Sequence, residues 1–197
     1  MVNGGRKRMF IMEGGKSDVM FLLGLMGVKE TKKRKVNEFK YECYAVDGGT
    51  YVCNGNGKDQ ACKMAEELLE EGGSMDIHVV LDGDAANLKC GDADMHHLNH
   101  LNLDELVFDL VETMLHGHCD DEFTVNLLNA ERSNKDSKKK AYLAMYLAWK
   151  FREKLGIGNA KYWTDISSFY HCLGSISSEL IPELDKGLDN VINLLRD

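Results

Sequence analysis

Apolar runs alternate with amphipathic stretches along the first part of the chain. Met9 to Met12 form a short apolar run that ends near a glycine pair, and residues 17–26 then carry apolar side chains at helical spacing. Residues 59–71 repeat the helical spacing. Ile77 to Leu81 form a continuous β-branched and apolar run, which is typical of a strand buried on both faces of a parallel sheet. These patterns predict strands and helices in alternation.

The remaining segments extend this pattern toward the end of the sequence. The predicted strands are residues 41–46, 51–53 and 123–128. The predicted helices are residues 103–115, residues 138–155 and a last one from Pro182 to about Leu195, and the polar residues 85–102 are expected to be mostly loop. We therefore expect an α/β fold with an open, mainly parallel sheet covered by helices. Residues 1–197 would form one domain, in which residues from about 130 to 197 are mainly helical.

Composition and cysteine spacing are typical of an ordinary globular protein. Of the 197 residues, 44% are hydrophobic and 28% are charged, and no apolar stretch is long enough to form a transmembrane helix. The start of the sequence shows no secretory signal, and the six cysteines include no Cys-x-x-Cys pair. We therefore expect reduced thiols, a cytoplasmic location and no association with a membrane.

The net charge of −8 argues against a protein that coats nucleic acid through bulk electrostatic attraction. It does not exclude an enzyme that acts on nucleic acid, because carboxylates at a metal site add negative charge locally. Two basic clusters, at residues 32–35 and 138–140, could contact phosphates. The alternative is that both clusters are solvated surface.

Three carboxylates follow predicted strands. Glu13 follows the first strand, and Asp82 and Asp84 follow the Ile77–Leu81 strand, so a parallel sheet could bring them to one edge. Because alternate residues of an extended chain point the same way, Asp82 and Asp84 are expected to face one ion together. Hard cations take oxygen ligands, usually one or two carboxylates with water and substrate phosphate. The sequence therefore predicts a magnesium or manganese site.

Two motifs here resemble the Toprim domain, the catalytic unit shared by topoisomerases, bacterial primases and OLD-type nucleases. Phe10 to Asp18 (FIMEGGKSD) is similar to the family's strand-Glu-Gly motif leading into a helix, and Val79 to Asp84 (VVLDGD) is similar to its strand-Asp-x-Asp motif. The resemblance covers roughly the first half of the chain, and the protein looks like one of the small, stand-alone Toprim-like proteins. It implies that Glu13 acts as general acid or base, and that Asp82 and Asp84 hold magnesium together with Glu13.

Several nearby residues are further candidates. Lys16 and Asp18, at a predicted helix start, are candidates for binding the substrate or its phosphate, the alternative for Lys16 being an exposed lysine. Asp92 and Asp94 could hold a second ion, as in two-metal phosphoryl-transfer sites. The His- and Cys-rich residues 90–119 could bind zinc, although their spacing matches no standard zinc pattern.

The glycine-rich segment 54–58 (NGNGK) precedes a predicted helix and resembles a phosphate-cradling loop in outline. It lacks the Walker spacing of Gly-x-x-x-x-Gly-Lys-Ser/Thr. The alternative is an ordinary turn between a strand and a helix.

The leading hypothesis is a magnesium-dependent, nuclease-like protein that acts on nucleic acid or another phosphate-containing ligand. The alternative is a non-catalytic Toprim-like module that binds a metal or a nucleotide and docks a protein partner through its helical C-terminal part. The paired motifs favour the enzyme. The acidic charge and the one extra residue between Glu13 and Asp18, relative to the family pattern, favour the binding module.

Overall fold

The structure, a computed structural model, describes most of the chain. The described residues are 7–29, 35–36, 40–71, 75–85, 87–116, 121–158, 163 and 165–196. Residues 32–34 of the first basic cluster lie outside this set, as do His118 and Cys119.

Six strands and eight helices form within the described residues. The strands are β1 (Lys7–Met12), β2 (Lys35–Val36), β3 (Cys43–Ala45), β4 (Thr50–Asn54), β5 (Met75–Leu81) and β6 (Asp94–His97). The helices are α1 (Lys16–Leu25), α2 (Lys58–Glu70), α3 (Leu103–Leu115), α4 (Glu122–Arg132), α5 (Ser137–Lys150), α6 (Ile166–Ser177), α7 (Ile181–Leu184) and α8 (Lys186–Arg196). Among the described helices, none is both long and apolar enough to cross a membrane.

The strands form one mixed, mainly parallel sheet in the order β2-β3-β4-β1-β5-β6. β1 lies in its interior and pairs in parallel with β4 and β5, and β5 pairs in parallel with β6. β2 and β3 complete the other edge in antiparallel pairing. The expected α/β fold, with a mainly parallel sheet and a helical C-terminal part, is confirmed.

Helices cover both faces of the sheet unequally. On one face, Phe10 and Met12 of β1 pack into a core shared with α1, α3, α5, α6 and α8. On the other face, Met9 and Ile11 pack against α2. This division follows from the alternation of side chains along a strand. The C-terminal helices therefore share the main core with α1.

Two glycines allow α1 and α6 to cross in close backbone contact. A Cβ on Gly24 would overlap with the carbonyl oxygen of His171, and a Cβ on Gly174 would overlap with that of Phe21. Only residues without a Cβ permit so close an approach. The crossing also brings the starts of the two helices together, where Ser17 Oγ lies 3.2 Å from Ser167 Oγ.

Three elements differ from the sequence-based predictions. The strand predicted over residues 123–128 is wrong, because this segment belongs to α4, which buries Thr124 and Leu128 at helical spacing. β6 forms within the predicted loop 85–102, where it adds to the edge of the sheet beside β5. The predicted last helix is divided into α7 and α8 by the extended backbone of Asp185.

Four cysteines are joined in disulfides, so the expectation of reduced thiols is wrong for them. Cys43 and Cys53 face each other across the antiparallel pair β3–β4, with 4.0 Å between their Cα atoms. Cys62 of α2 is joined to Cys90, at a Cα separation of 4.6 Å. Both pairs are brought together by strand pairing and helix packing, which the sequence separations of 10 and 28 do not reveal. The cytoplasmic location stays a prediction.

Candidate functional site

The ends of β1 and β5 bring Glu13 and Asp82 together. The two strands are adjacent and parallel, with Met12 opposite Val80, so both chains leave the sheet at the same edge. The backbone N–H of Glu13 donates to the carbonyl of Val80 at 2.8 Å. In return, the N–H of Asp82 donates to Oε2 of Glu13 at 2.9 Å. This second hydrogen bond holds the side chain of Glu13 beside the backbone of Asp82.

The glycine-rich segment 54–58 fixes the backbone of the same residue. The N–H groups of Gly55 and Gly57 donate to the carbonyls of Met12 and Glu13 at 2.8 and 2.6 Å. A Cβ on Gly55 would lie 2.5 Å from the Met12 carbonyl oxygen, so the close approach requires glycine. Because these N–H groups are engaged within the protein, the segment acts as a turn that supports Glu13.

Asp82 and Asp84 are connected by a tight turn. β5 ends at Leu81, and residues Gly83–Ala85 form a single 3-10 turn in which the N–H of Ala85 donates to the carbonyl of Asp82 at 3.1 Å. The two residues therefore do not lie on an extended chain, and the expectation that its alternation makes both side chains point the same way is wrong. The N–H of Gly83 donates to the carbonyl of His100 at 2.9 Å, which anchors this turn to the loop after β6. Asp84 is exposed and Asp82 is half-buried.

Asp18, on the first turn of α1, folds back over the glycine pair. A Cβ on Gly14 would overlap with the Asp18 carboxylate, so the glycine makes room for this acid. Burial raises the pKa of Asp18 well above its usual value, and the negative charges of Asp82, Asp104 and Glu13 raise it further. Asp18 therefore lies within the electrostatic reach of both strand ends.

Asp104 joins these residues from the start of α3. Asn102 caps this helix by accepting a hydrogen bond from the N–H of Glu105 at 3.1 Å, which sets the position of the first turn. The buried hydroxyl of Tyr170 donates to Oδ1 of Asp104. Sequence reasoning missed Asp104, because an acidic residue in the first turn of a helix is commonplace.

We call Glu13, Asp18, Asp82, Asp84 and Asp104 the acidic cluster. Burial raises the pKa of Asp82 to about 7, and the neighbouring charges of Glu13, Asp84 and Asp104 add to the effect. Like charges at close range disfavour ionisation. The cluster is therefore a concentration of negative charge in which Asp82 holds its proton more tightly than an ordinary aspartate does.

A cavity of about 430 Å³ opens beside the acidic cluster. Its lining consists of Gly14, Gly15, Ser17, Asp18, Asp82, Asn102, Leu103, Asp104, Lys138, Tyr142 and Ile166. One wall is acidic, and α5 forms another wall with a lysine and a tyrosine. Its volume is in the range of small-molecule and cofactor sites.

Several predicted site residues do not line this cavity, namely Glu13, Lys16, Asp84, Asp92 and Asp94. Lys16 is exposed at the start of α1. Hydrogen bonds from Ser168 lower the pKa of Asp165, and the charge of Lys16 lowers it further. Asp94 begins β6 opposite His78, three residues before the carboxyl end of that strand. Asp92 precedes it and is exposed. The structure therefore does not bring Asp92 or Asp94 to the acidic cluster.

The histidines of the predicted zinc region have separate surroundings. His96 Nε2 lies 3.1 Å from Nδ1 of His78, and burial lowers the pKa of both imidazoles. His100 is held between the carboxylates of Asp109 and Asp185 at 3.0 and 2.9 Å. Within the described part of the chain, no three His, Cys, Asp or Glu side chains are arranged to hold a metal ion by themselves.

Comparison of the chain with models of protein families, with curated proteins and with solved structures finds no match. The function is therefore inferred from the acidic cluster and the cavity beside it.

Proposed function

We propose that this protein is a magnesium-dependent, nuclease-like protein that processes phosphodiester bonds of nucleic acid. The observation that carries the proposal is the hydrogen bond that holds the Glu13 carboxylate on the backbone of Asp82 at the carboxyl edge of the parallel strands, beside an open cavity lined by Asp82 and Asp104. Ligands of open α/β sheets bind at this edge. The resemblance of the Glu13 and Asp82 motifs to those of Toprim domains supports the same chemistry.

The side-chain atoms of the acidic cluster are of the type that binds magnesium or manganese. All five members of the acidic cluster offer carboxylate oxygens, which hard cations prefer, and none offers sulfur or nitrogen. Because no three of the described acidic side chains converge on one point, the protein would supply one or two ligands. Magnesium commonly takes its remaining ligands from water and substrate phosphate. Asp82 and Asp84 are the proposed ligands.

The electrostatics of the cluster favour a cation. Asp82 faces three other carboxylates, and its raised pKa expresses both burial and their repulsion. Lys138 also lines the cavity, but it forms no ion pair with a described carboxylate. A divalent ion at Asp82 would offset this repulsion, and its affinity would therefore fall as Asp82 becomes protonated.

The hydrogen bonds of Glu13 suit a role as general acid or base. The N–H of Asp82 holds one carboxylate oxygen of Glu13, and Gly57 holds its backbone carbonyl. Among the described residues, no side chain or backbone N–H donates to the second oxygen, which can accept or donate a proton as general acid–base catalysis requires. Bound magnesium would supply electrostatic stabilisation of negative charge on the phosphate.

Isothermal titration calorimetry would test the metal site. Magnesium and manganese would be titrated into the wild type, into Asp82→Asn/Asp84→Asn, and into Asp92→Asn/Asp94→Asn. The second pair is a matched control, with the same residue types and spacing away from the cavity. We expect the first variant to lose binding and the control to keep it. Absence of binding to the wild type at millimolar metal would overturn the proposed site, and loss in the control alone would move the ion to β6.

Cleavage assays would then separate the enzyme from the second candidate function. Labelled single- and double-stranded DNA and RNA would be incubated with the protein and either metal. We expect cleavage that requires metal, falls about a hundredfold or more in Glu13→Gln, and disappears in Asp82→Asn/Asp84→Asn. Metal binding without cleavage of any substrate would favour the non-catalytic module that binds a metal or nucleotide and docks a protein partner.

A further inference from the structure

The three consecutive lysines at the start of α5 have different surroundings. Lys140 is buried and lies 3.4 Å from a carboxylate oxygen of Glu105. Lys139 lies 3.7 Å from the carboxylate of Asp136. Lys138 is exposed, lines the cavity, and forms no hydrogen bond or ion pair with another described residue. Of this basic cluster, Lys138 is therefore the member available to an anion at the cavity.

Two tyrosines continue the same face of α5 away from Lys138. Tyr142 and Tyr146 follow at intervals of four residues, so the three side chains lie one above another along the helix. Tyr142 lines the cavity and is 57% exposed, and Tyr146 is 55% exposed. We call Lys138, Tyr142 and Tyr146 the α5 stripe.

The tyrosines of the α5 stripe contrast with other aromatic residues of the helical part. Trp149, Trp163 and Phe169 pack against one another in the core, with ring centroids 5.7 and 5.0 Å apart. The rings of Tyr142 and Tyr146 instead present more than half of their surface to solvent. Exposed aromatic rings beside a cationic group are the elements with which proteins bind unpaired bases and the adjoining phosphate.

We propose that a single-stranded nucleic acid reaches the acidic cluster along the α5 stripe, with Lys138 contacting a phosphate and the rings of Tyr142 and Tyr146 stacking on unpaired bases. The inference rests on the proposed function for the class of its ligand. The stripe is continuous with the cavity through Lys138 and Tyr142, so a strand held there enters between the acidic wall and α5.

A single strand suits this surface better than a duplex. Base stacking on tyrosine requires an exposed face of the base, which pairing and stacking within a duplex conceal. Duplex binding depends instead on several phosphate contacts made by a basic surface. The protein has a net charge of −8, and Lys139 and Lys140 are paired with acidic residues. Of the three consecutive lysines, Lys138 alone is therefore unpaired among the described residues and able to contact a phosphate.

Binding can be measured separately from cleavage by omitting metal. Fluorescence anisotropy with EDTA would compare a labelled single-stranded oligonucleotide with the duplex of the same sequence. The test variants are Tyr142→Ala, Tyr146→Ala and Lys138→Gln. Phe123→Ala and Lys139→Gln are matched controls, because Phe123 is 69% exposed on α4 and Lys139 is the next lysine along the chain.

We expect the single strand to bind more tightly than the duplex, and each tyrosine-to-alanine change to weaken its binding roughly tenfold. Tyr→Phe at either position should keep the affinity, because the ring is retained. Lys138→Gln should lower the slope of log affinity against log salt concentration by about one. The controls should bind as the wild type does.

Equal affinity for single strand and duplex, wild-type affinity of both alanine variants, or an equal loss in Phe123→Ala would overturn the proposal. A mononucleotide that binds as tightly as the oligonucleotide, with no effect of Tyr146→Ala, would also overturn it. The proposed function fails separately. Tyrosine-dependent binding without metal-dependent cleavage would support the α5 stripe as a binding surface and contradict the proposed enzyme. Metal-dependent cleavage with an unchanged KM in the tyrosine variants would support the enzyme and contradict the α5 stripe.

Discussion

The carboxylate of Glu13 accepts a hydrogen bond from the backbone N–H of Asp82, with 2.9 Å between Oε2 and N. These residues lie 69 positions apart in the sequence and meet because β1 and β5 are parallel neighbours. The bond links the proposed proton-transfer group to the turn that carries the proposed metal ligands. Glu13 therefore has a structural role and a chemical role, which different substitutions can separate.

Glu13→Gln should strongly reduce cleavage while preserving the fold. The amide oxygen of glutamine can still accept the hydrogen bond from Asp82, but it cannot carry the proton of a general acid or base. We expect cleavage to fall about a hundredfold or more, with a melting temperature close to that of the wild type. Glu13→Ala should lose both the rate and some thermal stability. A Glu13→Gln protein that cleaves at the wild-type rate would remove Glu13 from the mechanism.

Asp82→Asn should stabilise the metal-free protein above neutral pH. Because burial and the neighbouring carboxylates raise the pKa of Asp82 from 3.8 to about 7, the folded state holds its proton more tightly than the unfolded state. The associated stability is present at low pH and is lost as the pH rises from about 4 through about 7. At pH 8 we expect the variant to gain on the order of 1–2 kcal/mol in the free energy of unfolding, after solvent screening of a half-buried carboxylate is allowed for.

Urea unfolding with EDTA at pH 5 and pH 8 would measure this gain, which should be smaller at pH 5. Asp92→Asn, at an exposed aspartate away from the cavity, should show no such pH dependence. Added magnesium should stabilise the wild type and not Asp82→Asn. Equal or lower stability of Asp82→Asn at pH 8 would show that the repulsion within the acidic cluster is weaker than the geometry indicates.

The sequence predicted the central elements of the fold because their apolar spacing is regular. It failed where tertiary contacts decided the outcome. Residues 94–97 (DMHH) lack a strand pattern and become β6 through pairing with β5. In residues 123–128, apolar side chains suggested a strand, but Phe123 and Val125 are exposed and only Thr124 and Leu128 are buried, four residues apart as in a helix.

The candidate site was predictable to the extent that it follows strand ends. The proximity of Glu13 and Asp82 followed from parallel pairing, which the sequence indicated. The contribution of Asp104 did not, because it depends on where α3 packs relative to α1 and α6. The aspartates at 92 and 94 have the same spacing as those at 82 and 84, but Asp92 precedes β6 and Asp94 is its first residue, whereas Asp82 and Asp84 follow β5. Spacing alone therefore could not distinguish the two pairs.

Gly24→Ala should destabilise the protein by disrupting the crossing of α1 and α6. The new Cβ would overlap with the carbonyl of His171, which belongs to the backbone of the other helix and cannot rotate away. Overpacking of this kind costs about 1–3 kcal/mol in the free energy of unfolding. Gly48→Ala is the control, because a Cβ there meets nothing within 4 Å. Equal melting temperatures for the two variants would show that the helices separate without cost.

His100 lies between two carboxylates and is hydrogen-bonded to the turn that carries Asp82. Its Nε2 is 3.0 Å from Asp109, and its Nδ1 is 2.9 Å from the fully buried Asp185, which also accepts the N–H of Leu188 at the start of α8. The carbonyl of His100 in turn accepts the N–H of Gly83 in the turn after β5. This arrangement connects α3, α8 and the turn that carries Asp82.

The contribution of His100 to the free energy of unfolding should decrease as the pH rises. The hydrogen bonds to Asp109 and Asp185 raise the pKa of His100 from 6.5 to about 9, against the opposing effect of burial. Its contribution is therefore fully present below about pH 6.5 and is lost as the pH rises through about 9. We expect His100→Gln to lower the free energy of unfolding by on the order of 2 kcal/mol at pH 6 and by less at pH 10. Urea unfolding of both proteins at pH 6, 8 and 10 would measure the difference, and a difference that stays constant across this range would show that His100 acts by packing and not by charge.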